Sequence, residues 1–198
     1  MLVKFDLNKN YDMKTMARSL LILACITGLT LSSYSEKGPV DPAGPGTGII
    51  GFGFGPGTGF YGGGGFGPAI LVHYDHSIWQ AGPGVISLGG QIGTSFFRQK
   101  YTGYNYGWTN LGFVFRGAYH YGWKVPGLDT YAGLGAGTWV SIYDDAGYNP
   151  GKGSVGVGFL PTFFFGGSYY FNHLLGINAE TGYNFAWFSV GLNFRLGK

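Results

Sequence analysis

Apolar residues alternate with small or polar ones along most of the chain, the period of β-strands with one apolar face. The last segment is the purest: Phe188, Val190, Leu192, Phe194 and Leu196 alternate with Trp187, Ser189, Gly191, Asn193 and Arg195. Before it, Ile177, Ala179, Thr181, Tyr183 and Phe185 oppose Asn178, Glu180, Gly182 and Asn184. Val155, Val157, Phe159, Phe163, Phe165, Tyr169 and Phe171 oppose Ser154, Gly156, Gly158, Thr162, Gly166 and Ser168. Leu111, Phe113, Phe115, Tyr119 and Tyr121 oppose Gly112, Arg116, His120 and Gly122, and Ile86, Leu88, Ile92 and Phe96 oppose Ser87, Gly89, Gln91, Gly93 and Ser95. The segment 131–143 is less pure, with Ala132, Leu134, Ala136, Val140 and Ile142 on its more apolar face. With a Gly-rich first segment and a ragged second one, where Leu71 falls on the polar face and His76 on the apolar one, the pattern predicts eight strands. They cover 47–55, 66–78, 84–99, 108–122, 129–143, 153–172, 175–184 and 186–196.

The faces are inverted relative to a soluble sandwich, whose exposed side carries Lys, Glu and Thr. Here the polar face is Gly, Ser and Asn with a few charges, and the apolar face is long and aromatic. That distribution predicts an all-β, eight-stranded antiparallel up-and-down transmembrane barrel with bulky residues toward lipid. Short connections at Trp79–Pro83, Trp123–Leu128 and Asn172–Leu174 alternate with longer ones at 56–65, 100–107 and 144–152. The seventh connection, Phe185 alone or nearly so, reads as a tight hairpin on the loop side. Aromatics gather at both ends, as expected at the two membrane interfaces. Tyr101, Tyr104, Tyr106, Trp108 and Tyr143 lie on the loop side, and Trp79, Trp123, Tyr169 and Phe171 on the turn side.

Composition narrows the class. Of 198 residues 40 are Gly, 19% are aromatic and 11% charged, far from an ordinary soluble domain. Disorder is excluded by the aromatics and collagen by the absence of a glycine period of three. At the amino end Lys14 and Arg18 precede the apolar run Leu20–Leu31 and then Ser32, Ser33 and Ser35. That order reads as a secretory signal peptide, and the run is too short for a spanning helix. Residues 1–35 are therefore expected to be an upstream extension, with translation starting at Met1 or Met13, plus a cleaved signal. A Pro/Gly-rich leader at 36–46 and the barrel at 47–198 follow. Cys25 as a lipoprotein cysteine is the competing reading, with a short apolar stretch before it. After residue 35, eight Lys and Arg face seven Asp and Glu, which leaves no basic face for nucleic acid.

Alternation places His73, Asp75, Gln91, Arg116, His120, Asn178, Glu180, Asn193 and Arg195 in the lumen. Arg116 and Glu180 fall at similar heights on opposite walls and are expected to pair as a structural plug, with the histidines hydrogen-bonded around them. Chemistry-bearing motifs are weak. The spacing Gly57-Thr58-Gly59-Phe60-Tyr61-Gly62 fits a dinucleotide loop but precedes no helix, and His73 and His76 lie on opposite strand faces. No cofactor or metal is expected. A hydrolase could combine His73 or His120 with Ser87 or Ser168, which keeps a lipid-modifying hydrolase or acyltransferase as an alternative. A secreted Gly/Tyr-rich structural protein is the other; it would leave the faced alternation unexplained.

Ser189-Val190-Gly191-Leu192-Asn193-Phe194-Arg195-Leu196 resembles the terminal signal of outer-membrane barrels, polar-x-Gly-x-x-apolar-x-apolar, carried here by Ser189, Gly191, Phe194 and Leu196. The usual terminal aromatic is absent, and Gly197-Lys198 extends past it. The chain looks like the small outer-membrane barrels of the OmpX/OmpA-domain type. Gly117–Tyr121 and Leu128–Gly133 are similar to segments of an "outer membrane protein β-barrel" family. The resemblance implies an integral protein of the cell outer membrane with periplasmic termini and lipid as its surroundings. It also implies insertion by the barrel assembly machinery and a scaffold or surface-binding role, not that of a general porin. Any extracellular ligand would meet the loops 56–65, 100–107 and 144–152.

Overall fold

The computed structural model describes residues 43–58, 67–101, 104–145 and 154–197. They form β1 (Gly48–Pro56), β2 (Pro68–Ala81), β3 (Gly84–Tyr101), β4 (Tyr104–Tyr121), β5 (Leu128–Asp145), β6 (Ser154–Tyr170), β7 (Leu175–Tyr183) and β8 (Phe188–Leu196). Each strand pairs antiparallel with its neighbours, and β8 returns to β1 to close the barrel. Closure leaves the sheet without an edge where all eight strands overlap.

The registers give the stagger of the barrel. From Phe52 the ladder runs through Val72, Ile92, Phe113 and Thr138 to Phe159 on β6. In the other direction it runs through Leu192 and Ile177 to Tyr169 on the same strand. The two routes arrive ten residues apart, which for eight strands corresponds to a tilt of about 40°. Outward positions are the apolar ones the alternation assigns, among them Phe115, Leu134, Phe163 and Phe165, all more than half exposed. Leu71 is buried inside and His76 points out, so the irregularity of the second strand is real.

Local chemistry makes the turns. The β2–β3 connection is Gly82-Pro83 alone, with Gly82 at φ +61, a conformation that two-residue hairpin loops require. In the β6–β7 turn Asn172 Oδ1 accepts the N–H groups of Leu174 and Leu175, both at 2.8 Å. Trp79, Trp123, Tyr169 and Phe171 are exposed at this turn end.

Three expectations change. The connection read at 100–107 is mostly strand, because β3 continues to Tyr101 and β4 starts at Tyr104; likewise Asp144 and Asp145 belong to β5. The seventh connection is Asn184–Trp187 rather than Phe185 alone, and Phe185 is not on the outer face. Its side chain turns into the lumen and is fully buried, while Trp187 lies outside β8 and is half exposed. Trp108 and Tyr143 also point inward: the rings of Phe97 and Trp108 stack at 5.7 Å and those of Trp108 and Tyr143 at 6.3 Å. The side chains of Tyr101, Tyr104 and Tyr106, and residues 59–66 and 146–153, lie outside what the structure describes.

The wall is uneven. β3 to β6 have 17 or 18 residues each, whereas β7, β8 and β1 have nine.

Candidate functional site

Seven strands contribute to a closed polar cluster in the lower and middle lumen. Its centre is Arg116 on β4. Nη2 donates to Glu180 Oε2 at 2.8 Å and Nη1 to Gln91 Oε1 at 2.7 Å, while Nε lies 3.2 Å from Asp75 Oδ1. The guanidinium sits 3.8 Å from the centre of the Phe164 ring. One guanidinium, which stays charged, faces two carboxylates and donates a charge-assisted hydrogen bond to one of them. His73 Nε2 lies 3.8 Å from Asp75 Oδ2. Gly51 makes room for that imidazole, because a Cβ there would fall 2.0 Å from His73 Cε1.

Nearer the turn end, His120 Nε2 lies 2.9 Å from Ser87 Oγ, and Nδ1 lies 3.0 Å from Asp129 Oδ2. This joins β3, β4 and β5 in the order of a nucleophile, a base and an orienting carboxylate. All three are sealed: Ser87 and Asp129 are 0% exposed and His120 2%. On the opposite wall Asn178 Nδ2 donates to Asn193 Oδ1, and Asn193 Nδ2 to Ser168 Oγ at 2.8 Å. Arg195 stays at the turn-end rim, where Nε donates to His173 O at 2.8 Å and the guanidinium faces the Tyr170 ring. The structure thus brings Asp75, Gln91, Arg116 and Glu180 together with His73 beside them. His120 meets Ser87 and Asp129, Asn178 meets Asn193, and Arg195 meets the His173 carbonyl at the rim.

Above this cluster the lumen is packed by an apolar group around Phe185. Phe185 packs with Ala69, Leu71, Val114, Leu160 and Ala186, and with Trp139 and Tyr183 at the margin. Its ring fits where two strands lack side chains: a Cβ on Gly93 would come within 2.3 Å of it and one on Gly112 within 2.5 Å. The segment that carries it is tied on both sides. Asn184 Nδ2 donates to Gln91 Oε1 at 2.9 Å, and Thr58 N donates to Phe185 O at 2.8 Å. Asn184 therefore links the apolar plug to the Arg116 cluster.

Asp129, Asn184, Phe164 and Phe185 are the site residues that sequence reasoning missed. Asp129 has the inward parity of Tyr131 and could have been found that way. Phe185 could not, because its parity continues a strand that has already ended. Among the described residues no three His, Cys, Asp or Glu side chains gather closely enough to hold a metal ion. Of the terminal signal residues, Ser189 is buried in the lumen and Leu196 faces out beside Gly48. A Cβ at Gly191 would strike the Phe52 carbonyl oxygen at 1.7 Å.

No protein-family model and no curated protein matches the sequence. Solved structures do match. The attachment invasion locus protein Ail of Yersinia pestis, in complex with the heparin analogue sucrose octasulfate, superposes with a TM-score of 0.52 at 11% identity, over 77% of this chain and 99% of that one. Neisserial surface protein A gives 0.47 at 12% identity, over 76% and 96%. The fold of this chain is that of the small eight-stranded outer-membrane β-barrels, and its apolar outer band is the surface such a barrel turns to lipid.

Proposed function

We propose that this chain is an integral outer-membrane barrel with a sealed lumen and a scaffold or surface-binding role at the extracellular loop end. The observation that carries this reading is the pairing of an apolar outer surface with an interior closed twice, by the Arg116 cluster and by Phe185. An eight-stranded barrel is only wide enough for its side chains to fill, so binding falls to the projecting end. The Ail structure holds a heparin analogue, which supports a ligand-binding role for this chain. In this reading residues 1–35 are a removed leader and signal, both termini lie in the periplasm, and Ser189, Gly191, Phe194 and Leu196 present the last strand to the assembly machinery. The test is an epitope placed within 146–150 and, separately, within 124–126. Antibody should bind the first on intact cells and the second only after permeabilisation; the reverse pattern refutes the orientation.

A second reading is favoured by one observation, the Ser87–His120–Asp129 chain, which has the connectivity of a hydrolase. Its burial leaves a substrate carbonyl no approach, and the three groups serve to tie β3, β4 and β5 together. An alkyl fluorophosphonate should leave Ser87 unmodified in the folded barrel. Stoichiometric labelling that Ser87→Ala abolishes would establish the enzyme.

A further inference from the structure

His76 faces out from the apolar band. It is exposed on the outer wall of β2, with Tyr74 two residues above it on the same face. Val72 and Ile70 continue that face upward, and Ile78 and Trp79 close it below. Among the described residues, the other His, Lys, Arg, Asp and Glu side chains that are not buried lie toward the ends of the barrel. Arg98 is two residues beyond Phe96, Lys124 and His173 are in turns, and Arg195 is at the rim. An ionisable group within a membrane-spanning segment is costly and rare, above all on the lipid side. His76 stands three residues above Trp79, about 8 Å at this tilt, inside an apolar band of about 25 Å.

The two polar side chains work as a pair. Their rings stack with centroids 6.4 Å apart, and Tyr74 OH lies 3.4 Å from His76 Nδ1. Tyr74 leans toward the turn end. Gly48 pairs with His76 on β1, and a Cβ there would come within 3.1 Å of the Tyr74 hydroxyl. Glycine at 48 therefore leaves the hydroxyl its place, at the height of His76 rather than of its own Cα. With that hydroxyl donating to Nδ1, the neutral imidazole carries its proton on Nε2. Nε2 has no partner among the described residues. A register shift between Ser77 and Trp79 turns Ile78 and Trp79 both outward beneath the pair, and bulges re-aim side chains in this way. Leu88 stands beside His76 on β3. One N–H donor thus sits in an apolar surround, just inside the turn-end aromatic row.

We propose that Tyr74 and His76 form a site on the outer wall for the phosphate of one glycerophospholipid in the leaflet at the turn end. Nε2–H donates to a phosphate oxygen, and the acyl chains lie over Val72 and Leu88. This rests on the membrane placement proposed above. Acyl chains offer the N–H no acceptor, and a polar group left unpaired in an apolar medium is costly. The phosphate of a lipid head supplies an anionic acceptor, which strengthens the bond. Both side chains have an apolar body and a polar tip, so they reach toward the interface as such residues do at membrane surfaces. A second copy does not serve the same need. A two-fold axis through this face would bring two identical N–H donors together and satisfy neither.

The test titrates the full chain in maltoside micelles with dioleoyl phosphatidylglycerol and reads bound lipid by native mass spectrometry. Saturable binding of one molecule to the wild type is expected. His76→Leu, which suits a lipid-facing position, should weaken it about tenfold. Tyr74→Phe keeps the imidazole and the stacked ring but frees the tautomer, and should weaken it about threefold. Dioleoylglycerol, which lacks the phosphate, should bind wild type and His76→Leu alike, and millimolar inorganic phosphate should not displace the lipid. Unchanged phosphatidylglycerol affinity in His76→Leu overturns the proposal. So does dioleoylglycerol binding that depends on His76, or displacement by inorganic phosphate. A dimer without bound lipid that His76→Leu dissolves would give the face to a second copy and also overturns it. Carbonate extraction of the barrel from phosphatidylcholine vesicles separates the two claims. Release of the protein refutes the membrane placement, while a retained barrel whose lipid affinity ignores His76 refutes only the site.

Discussion

The lower half of the lumen is held by charge and hydrogen bonds around Arg116, whereas the upper half begins with the Phe185 ring, seated between glycines. Arg116, Asp75, Glu180 and Gln91 come from four strands, and two carboxylates and an amide oxygen lie within 3.2 Å of the one guanidinium. Phe185 asks only for volume, which Gly93 and Gly112 leave open. The two halves therefore fail differently. Losing a charge below strands its partners, and losing bulk above leaves a cavity that neighbours can partly refill.

Arg116→Met should produce the largest effect, because Asp75 and Glu180 both lose their cation. Urea unfolding in detergent or vesicles should show a loss of about 3–5 kcal/mol. Glu180→Gln should cost less, since Asp75 remains beside the guanidinium, and the double variant should lose less than the two singles added together. Strict additivity would mean that Arg116 and Glu180 do not interact. Phe185→Ala comes next, at about 3 kcal/mol for a fully buried ring removed from its socket. Gly112→Ala should cost about 1–3 kcal/mol by overpacking the same ring. Adding Phe185→Leu to it should recover part of that loss; no recovery would mean that the glycine serves the Thr138 carbonyl, which a Cβ there would also approach at 2.7 Å. Ser87→Ala is the smallest, about 1 kcal/mol, since His120 keeps its bond to Asp129.

The difference between the halves also decides what the sequence made legible. Side-chain parity is set by the strand period, so a charge at Arg116 or Glu180 on an otherwise apolar and glycine pattern had to face inward, and register counting put the two at one height. The upper half depends on where a strand stops. Tyr183 ends β7, yet Phe185 keeps its parity, and nothing in the local residues marks the inward turn of Asn184–Trp187. The socket was equally hidden, because Gly93 and Gly112 are two among 40 glycines. His120 lies on the expected face, but its partner Asp129 is not among the expected lumen residues, although the pattern starts the strand at residue 129.

Both halves close the same passage, and planar-bilayer conductance tests that closure most directly. The wild type should pass no large, stable current, and Phe185→Ala should pass none either, because the Arg116 cluster still bars the lumen below the vacated socket. Reproducible porin-sized channels from the wild type would contradict the account.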